Sequence, residues 1–115
     1  MEAAITELRT VPVWAFFFGA LFATNAIPHF ASGVLGRPFQ SPFASPPGQG
    51  LSSSTVNVLW GNLNFVVGYV LLCRFGALDL QSTPQIATAG LGVVLMSVMH
   101  ARLFGRFHGG DAPTP

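Results

Sequence analysis

Residues 56–75 read VNVLWGNLNFVVGYVLLCRF and carry no charge before Arg74. A helix needs about 20 mostly apolar residues to cross a bilayer, and this stretch has that length. Its polar members are unevenly placed. Asn57, Trp60, Asn62 and Asn64 occupy the first half, and Tyr69 stands almost alone in the second. Asn57, Gly61, Asn64 and Gly68 recur at intervals of four, three and four. That is one narrow stripe of a helix turning about 100° per residue. A membrane helix with amides and glycines on one side packs that side against other helices, because unpaired amides in hydrocarbon cost a few kcal/mol.

Two further stretches of the same kind flank it. Residues 12–31, PVWAFFFGALFATNAIPHFA, follow Arg9; residues 84–104, PQIATAGLGVVLMSVMHARLF, follow Asp79. Thr10 and Thr83 are the expected N-caps, with Pro12 and Pro84 in the first turns, where a missing N–H is harmless. The run from Ser52 to Thr55 can cap the middle helix. Gly105, or Gly109 and Gly110, ends the last one. Composition agrees: 115 residues, 50% hydrophobic and 8% charged, against about 25% charged in soluble domains. The expected fold is an all-α membrane protein, a three-transmembrane-helix bundle forming one domain, with helices near residues 12–31, 56–75 and 84–104. A flexible tail is expected over residues 106–115. The first stretch has two glutamates and one arginine before it, the wrong charge for a secretory leader, so it is read as an uncleaved span.

Residues 32–55 connect the first two helices and hold four prolines, four glycines and two phenylalanines. Proline at that density forbids a regular helix. Phe39 and Phe43 either anchor this Pro/Gly/Phe-rich loop at the interface or fold it back over the helices as a lid. The second connection is short, which makes spans two and three expected antiparallel neighbours. Three spans put Arg37, Arg102 and Arg106 on one side and Arg9 and Arg74 on the other. The excess of cations places the long loop and C-terminus in the cytoplasm, and the expected location is a bacterial inner (cell) membrane.

Alternating helix direction brings the polar residues to one membrane face. Asn25 and His29 lie at the loop-side end of span one, and Asn57, Trp60 and Asn64 at that of span two. Ser97, His100 and Arg102 lie at that of span three. Small residues accompany them: Ala15, Gly19 and Ala26; Gly61 and Gly68; and Gly90, followed by Val94, Ser97 and Ala101, with His100 at the flank. These are the expected packing faces. Pro28 precedes His29 and removes a helix hydrogen bond beside a titratable ring. His108 is expected in the solvated tail.

Several functions are excluded. A net charge of +1 is far from the basic excess of nucleic-acid binders. No Asp or Glu falls within a span, against the usual design of proton pumps and ion-coupled carriers. Ser-His-Asp, HExxH and P-loop patterns are absent, and no metal-ligand spacing occurs. The lone Cys73 lies in an apolar run and is expected to pack. Two readings remain. In the first, the chain is a non-enzymatic membrane protein whose small-residue faces mediate homo-oligomer formation or docking as an accessory subunit of a larger membrane complex. In the second, Asn25, His29, Asn57, Trp60, Asn64, Ser97 and His100 line a pocket for a lipid headgroup or small ligand. Arg37 and Arg102 would then form its cationic rim, and transport or enzymatic use of that pocket stays open. A haem b held by His29 and His100 is a minor alternative.

Overall fold

The structure, a computed structural model, describes residues 12–110. Thr10, part of the expected tail and the charges of both termini lie outside them. The described chain is mostly helical. Helix α1 spans Val13–Val34, and α2 spans Ser54–Val70 and runs on through a wider π turn, Leu71–Phe75. Helix α3 spans Thr83–His108. All three are long and apolar enough to cross a membrane.

Local chemistry sets the boundaries. Ser53 Oγ accepts the Val56 N–H and starts α2. Ser82, one residue before the expected cap, accepts from Gln85 N and starts α3. Helix α1 has Pro12 at its cap position with no side-chain bond, and it continues unbroken through Pro28. Helix α3 ends at Gly109, which takes a left-handed conformation (φ 83°), so residues 106–108 belong to the helix and not to a tail. Gly105 is accommodated because the turns around it are held. Phe104 packs on Phe39 at 4.7 Å, and His108 stacks on the same ring at 5.1 Å.

The packing order differs from the chain order. Helix α1 lies against both α2 and α3, whereas α2 and α3 share no extensive contact. The expectation that a short connection makes them neighbours fails, and α1 lies between them at the connection. Phe16 is buried at the start of α1, directly beneath Gly76, so the connection passes over the end of α1.

Glycine makes the α1–α2 seam close. A Cβ on Gly61 would lie 2.6 Å from Phe30 N, and one on Gly68 would lie 2.9 Å from Gly19 O. Ala15, Gly19 and Ala26 are buried on α1 as expected. On α3 the expected face is wrong. Nothing lies near Gly90, and Val94, Ser97 and Ala101 face outward. Gly92 and Met96 are buried instead, with Gly92 against Phe17 O and Leu21 N. The packed stripe is rotated by about 150° at the helical angle per residue. Side-chain size misled here: α3 uses one small residue for close approach and fills the remaining contact with Met96.

The burial pattern is inverted relative to a water-soluble protein. Asn57 and Asn64 are 0% and 1% exposed, whereas Leu59, Leu63, Val66 and Leu91 are each more than half exposed. Large side chains turned outward on every helix suit a hydrocarbon surround. Cys73 is among the outward residues, so it does not pack between the helices.

Candidate functional site

The connection between α1 and α2 folds back over the helix ends. Its short strands β1 (Phe39–Gln40) and β2 (Leu51–Ser52) pair antiparallel, with Phe39 opposite Ser52 and Gln40 opposite Leu51. Ser41 Oγ reaches Ser52 Oγ at 2.6 Å and accepts the Phe43 N–H, while Ser41 O accepts from Gly48 N at 2.8 Å. Phe43 meets the Trp60 ring edge-on at 5.0 Å. Gln40 and Ser41 are buried, which a loop lying free at the interface would not achieve.

Beneath this hairpin the polar residues form tiers. Gln40 Oε1 and His108 Nε2 are 2.8 Å apart at the top. His29 Nδ1 meets Asn57 Oδ1 at 2.9 Å in the next tier. The deepest tier joins all three helices: His100 Nε2 to Asn25 Oδ1 at 2.8 Å, and Asn25 Nδ2 to Asn64 Oδ1 at 2.9 Å. At about 1.5 Å rise per residue, His29 lies about 7 Å and Asn25 about 13 Å below the end of α1. The tiers thus descend toward the middle of the helices.

The direction of each hydrogen bond follows from its terminal acceptor. Asn64 Nδ2 donates to the Trp60 carbonyl at 2.8 Å, and a carbonyl only accepts. Asn64 Oδ1 must therefore accept from Asn25 Nδ2, and Asn25 Oδ1 must accept from His100 Nε2–H. Asn57 is fixed in the same way. Its Nδ2 faces the carbonyls of Phe39, Ser52 and Ser53 at 3.0–3.1 Å, so its Oδ1 accepts and His29 Nδ1 donates. The amide ladder thereby selects opposite tautomers for two imidazoles. A neutral imidazole protonated on one nitrogen has a lone pair on the other. His29 Nε2 and His100 Nδ1 are those nitrogens, and neither has a donor among the described residues.

Both rings line a cavity of about 180 Å³ between the helices and under the hairpin. Asn25, Trp60, Met96 and Phe104 contribute to its wall, and Gln40, Ser41 and Pro42 to its roof. The cavity persists because α2 and α3 do not close on each other. One further group is unsatisfied: Trp60 Nε1 is buried with no hydrogen-bond partner, a costly state for an indole N–H. The imidazoles that line the cavity therefore keep two unspent lone pairs beside an apolar, aromatic wall.

The remaining expected site residues fall elsewhere. Asn57 and Asn64 stand behind the wall and orient the residues that form it. Arg37 is exposed beyond α1. Ser97 points outward and donates to Val94 O at 3.1 Å. Arg102 lines an outer groove with Met99, Leu103 and Arg106. Conversely, the polar roof, the packed Met96 and Phe104, and the bonded His108 were not expected in the site. Met96, His100 and Phe104 recur every fourth residue, a signal that the small-residue stripe obscured.

Haem does not fit this arrangement. The space of about 180 Å³ is below the roughly 300 Å³ at which pockets for drug-sized molecules begin. Among the described residues there is no group of three or more His, Cys, Asp or Glu side chains able to hold a metal ion. Compared with models of known families, with curated proteins and with solved structures, the chain matches none.

Proposed function

We propose that this chain is an integral membrane protein that binds a small polar molecule, or the head of a lipid, in the cavity beneath the β1–β2 hairpin. The observation that carries the reading is the open chemistry of the cavity wall. A network serving only to hold helices together closes on itself, as Asn57 and Asn64 do. His29 and His100 line the cavity and each keep one ring nitrogen without a partner among the described residues. We read the protein as a binder; among the described residues the polar groups that line the cavity are amide, imidazole, hydroxyl and indole. Its location in this proposal is a bacterial inner membrane with the hairpin face toward the cytoplasm, where Arg37, Arg102 and Arg106 meet anionic lipid.

Native mass spectrometry of the protein released from mild detergent tests this. A bound species is expected on the natural chain and its loss on His29→Ala, with both proteins equally folded. A bare natural chain that binds nothing when returned to a lipid extract overturns the reading.

The outward face of α3 supports a second, additional role in assembly. Gly90, Val94, Ser97 and Ala101 form a stripe that none of the described helices covers, and such stripes allow close helix approach in membranes. In this reading a second copy, or a subunit of a larger complex, packs there. Loss of the assembled species on Gly90→Leu, seen by cross-linking in bilayers, is the expected result.

A further inference from the structure

We infer that the cavity takes the head of one class of anionic lipid, a phosphodiester that carries a neutral polyol, as in phosphatidylglycerol. This rests on the ligand-binding reading above and names the chemistry of the head. Two spaces meet to give it. The cavity and the outer groove of α3 share Met99 and Leu103 in their walls, so one opens beside the other. Arg102 and Arg106 line the groove, one turn apart on a single helix face.

The cavity selects the head by its hydrogen-bonding groups. His29 Nε2 and His100 Nδ1 are acceptors, because the opposite nitrogens give their protons to Asn57 and Asn25. Both keep accessible surface; the one buried side-chain atom without a partner among the described residues is Trp60 Nε1, sealed inside the wall. Two acceptors call for a head that brings two protons. A carboxylate has none to give, and neither has a trimethylammonium. A primary ammonium has protons but brings a charge, and among the described residues no anionic group lines the cavity to balance it. A diol gives one proton to each imidazole and stays neutral. Its lone pairs are left for Gln40 Nε2 at the roof, since Gln40 Oε1 is spent on His108. Size agrees. A cavity of about 150 Å³ in another protein takes benzene, the cavity here is about 180 Å³, and glycerol has as many heavy atoms as benzene.

The groove supplies the other half of the site. Guanidinium groups bind phosphate oxygens in pairs of hydrogen bonds. Leu95, Met99, Arg102 and Arg106 recur at intervals of four, three and four and are all exposed. On this face the apolar residues lie deeper and the cations nearer the helix end, the order of an acyl chain and its phosphate.

The test titrates the full chain, stripped of lipid in mild detergent, with three lipids of identical acyl chains, read by native mass spectrometry. They are phosphatidylglycerol, phosphatidylpropanol, which keeps the charge and carbon count without the hydroxyls, and phosphatidylcholine. Phosphatidylglycerol is expected to bind at least about tenfold more tightly than phosphatidylpropanol, because a site built for hydroxyls rejects analogues lacking them. Phosphatidylpropanol is expected to bind more tightly than phosphatidylcholine. His29→Phe is expected to erase the first difference and keep the second; Arg102→Gln with Arg106→Gln is expected to do the reverse. Should His29→Phe not fold, His100→Phe reads the same difference. Water-soluble glycerophosphoglycerol binding as tightly as the lipid assigns a free phosphodiester as the source; weaker binding assigns the membrane. Equal binding of phosphatidylglycerol and phosphatidylpropanol overturns the inference and leaves the cavity a binding site. Failure of all three lipids, with another species retained from a lipid extract, overturns it too. Failure of all three with nothing retained overturns both proposals.

Discussion

The two seams that α1 makes are built on different principles. Against α2 it is closed: Gly61 and Gly68 bring backbones into contact, and every amide proton of Asn57 is given to a main-chain carbonyl. Against α3 it is tight only at Gly92. Farther along, it opens into a space where His100 is held by one bond and Met96 fills part of the gap. Asn25 belongs to both seams, bonded to Asn64 on one side and His100 on the other. The closed seam thus acts as the rigid back of the open one. Order in the amides is transmitted to the imidazoles as a choice of tautomer, and the open seam is where that choice meets empty volume.

The comparison is broken most severely by Gly61→Leu. A side chain there collides with the main chain of Phe30, and overpacking of this kind costs ~3 kcal/mol or more. The expected outcome is loss of the folded species in steric-trap or thermal unfolding measurements. Asn57→Leu comes next. It leaves the Phe39 and Ser52 carbonyls and His29 without that side-chain partner at a fully buried position, an effect of about 3 kcal/mol. Faster protease cleavage between residues 42 and 50 is expected, since the hairpin is tied down through that side chain. Gly92→Leu and Gly90→Leu then sharpen the account of α3. The first is expected to destabilise by ~2 kcal/mol, and the second, with open space around it, to stay within about 0.5 kcal/mol in the isolated chain. The reverse order would return the helix to the face expected from its small residues. His100→Phe is expected to cost only about 1 kcal/mol, and its main expected effect is loss of bound ligand.

Much of this was legible in the residues alone. The three helices, the α1–α2 stripe and the convergence of Asn25, His29, Asn57, Asn64 and His100 follow from hydropathy and the helical period. Those signals are local, and glycine and asparagine in hydrocarbon have few uses other than facing a neighbour. Helix α3 was misread because Gly90 and Ser97 suggest a packing face by size, whereas the real face is chosen by whether Met96 and Phe104 fill the gap that α1 and the hairpin leave. That gap is a tertiary quantity. The order of the helices was hidden for the same reason: nothing in the short connection shows that Phe16 sits beneath it. His108 was missed because its partners, Phe39 and Gln40, lie in a loop whose conformation proline and glycine leave open to long-range contacts.

The most direct measurement is the nitrogen-15 spectrum of the histidine rings in bilayer-embedded protein, assigned through His29→Gln and His100→Gln. At neutral pH, His29 is expected to show a protonated Nδ1 and a pyridine-like Nε2, and His100 the reverse, each coupled to its asparagine partner. The same tautomer in both rings, or a His29 protonated on Nε2, would contradict the account, because the amide ladder would then not determine what the cavity presents.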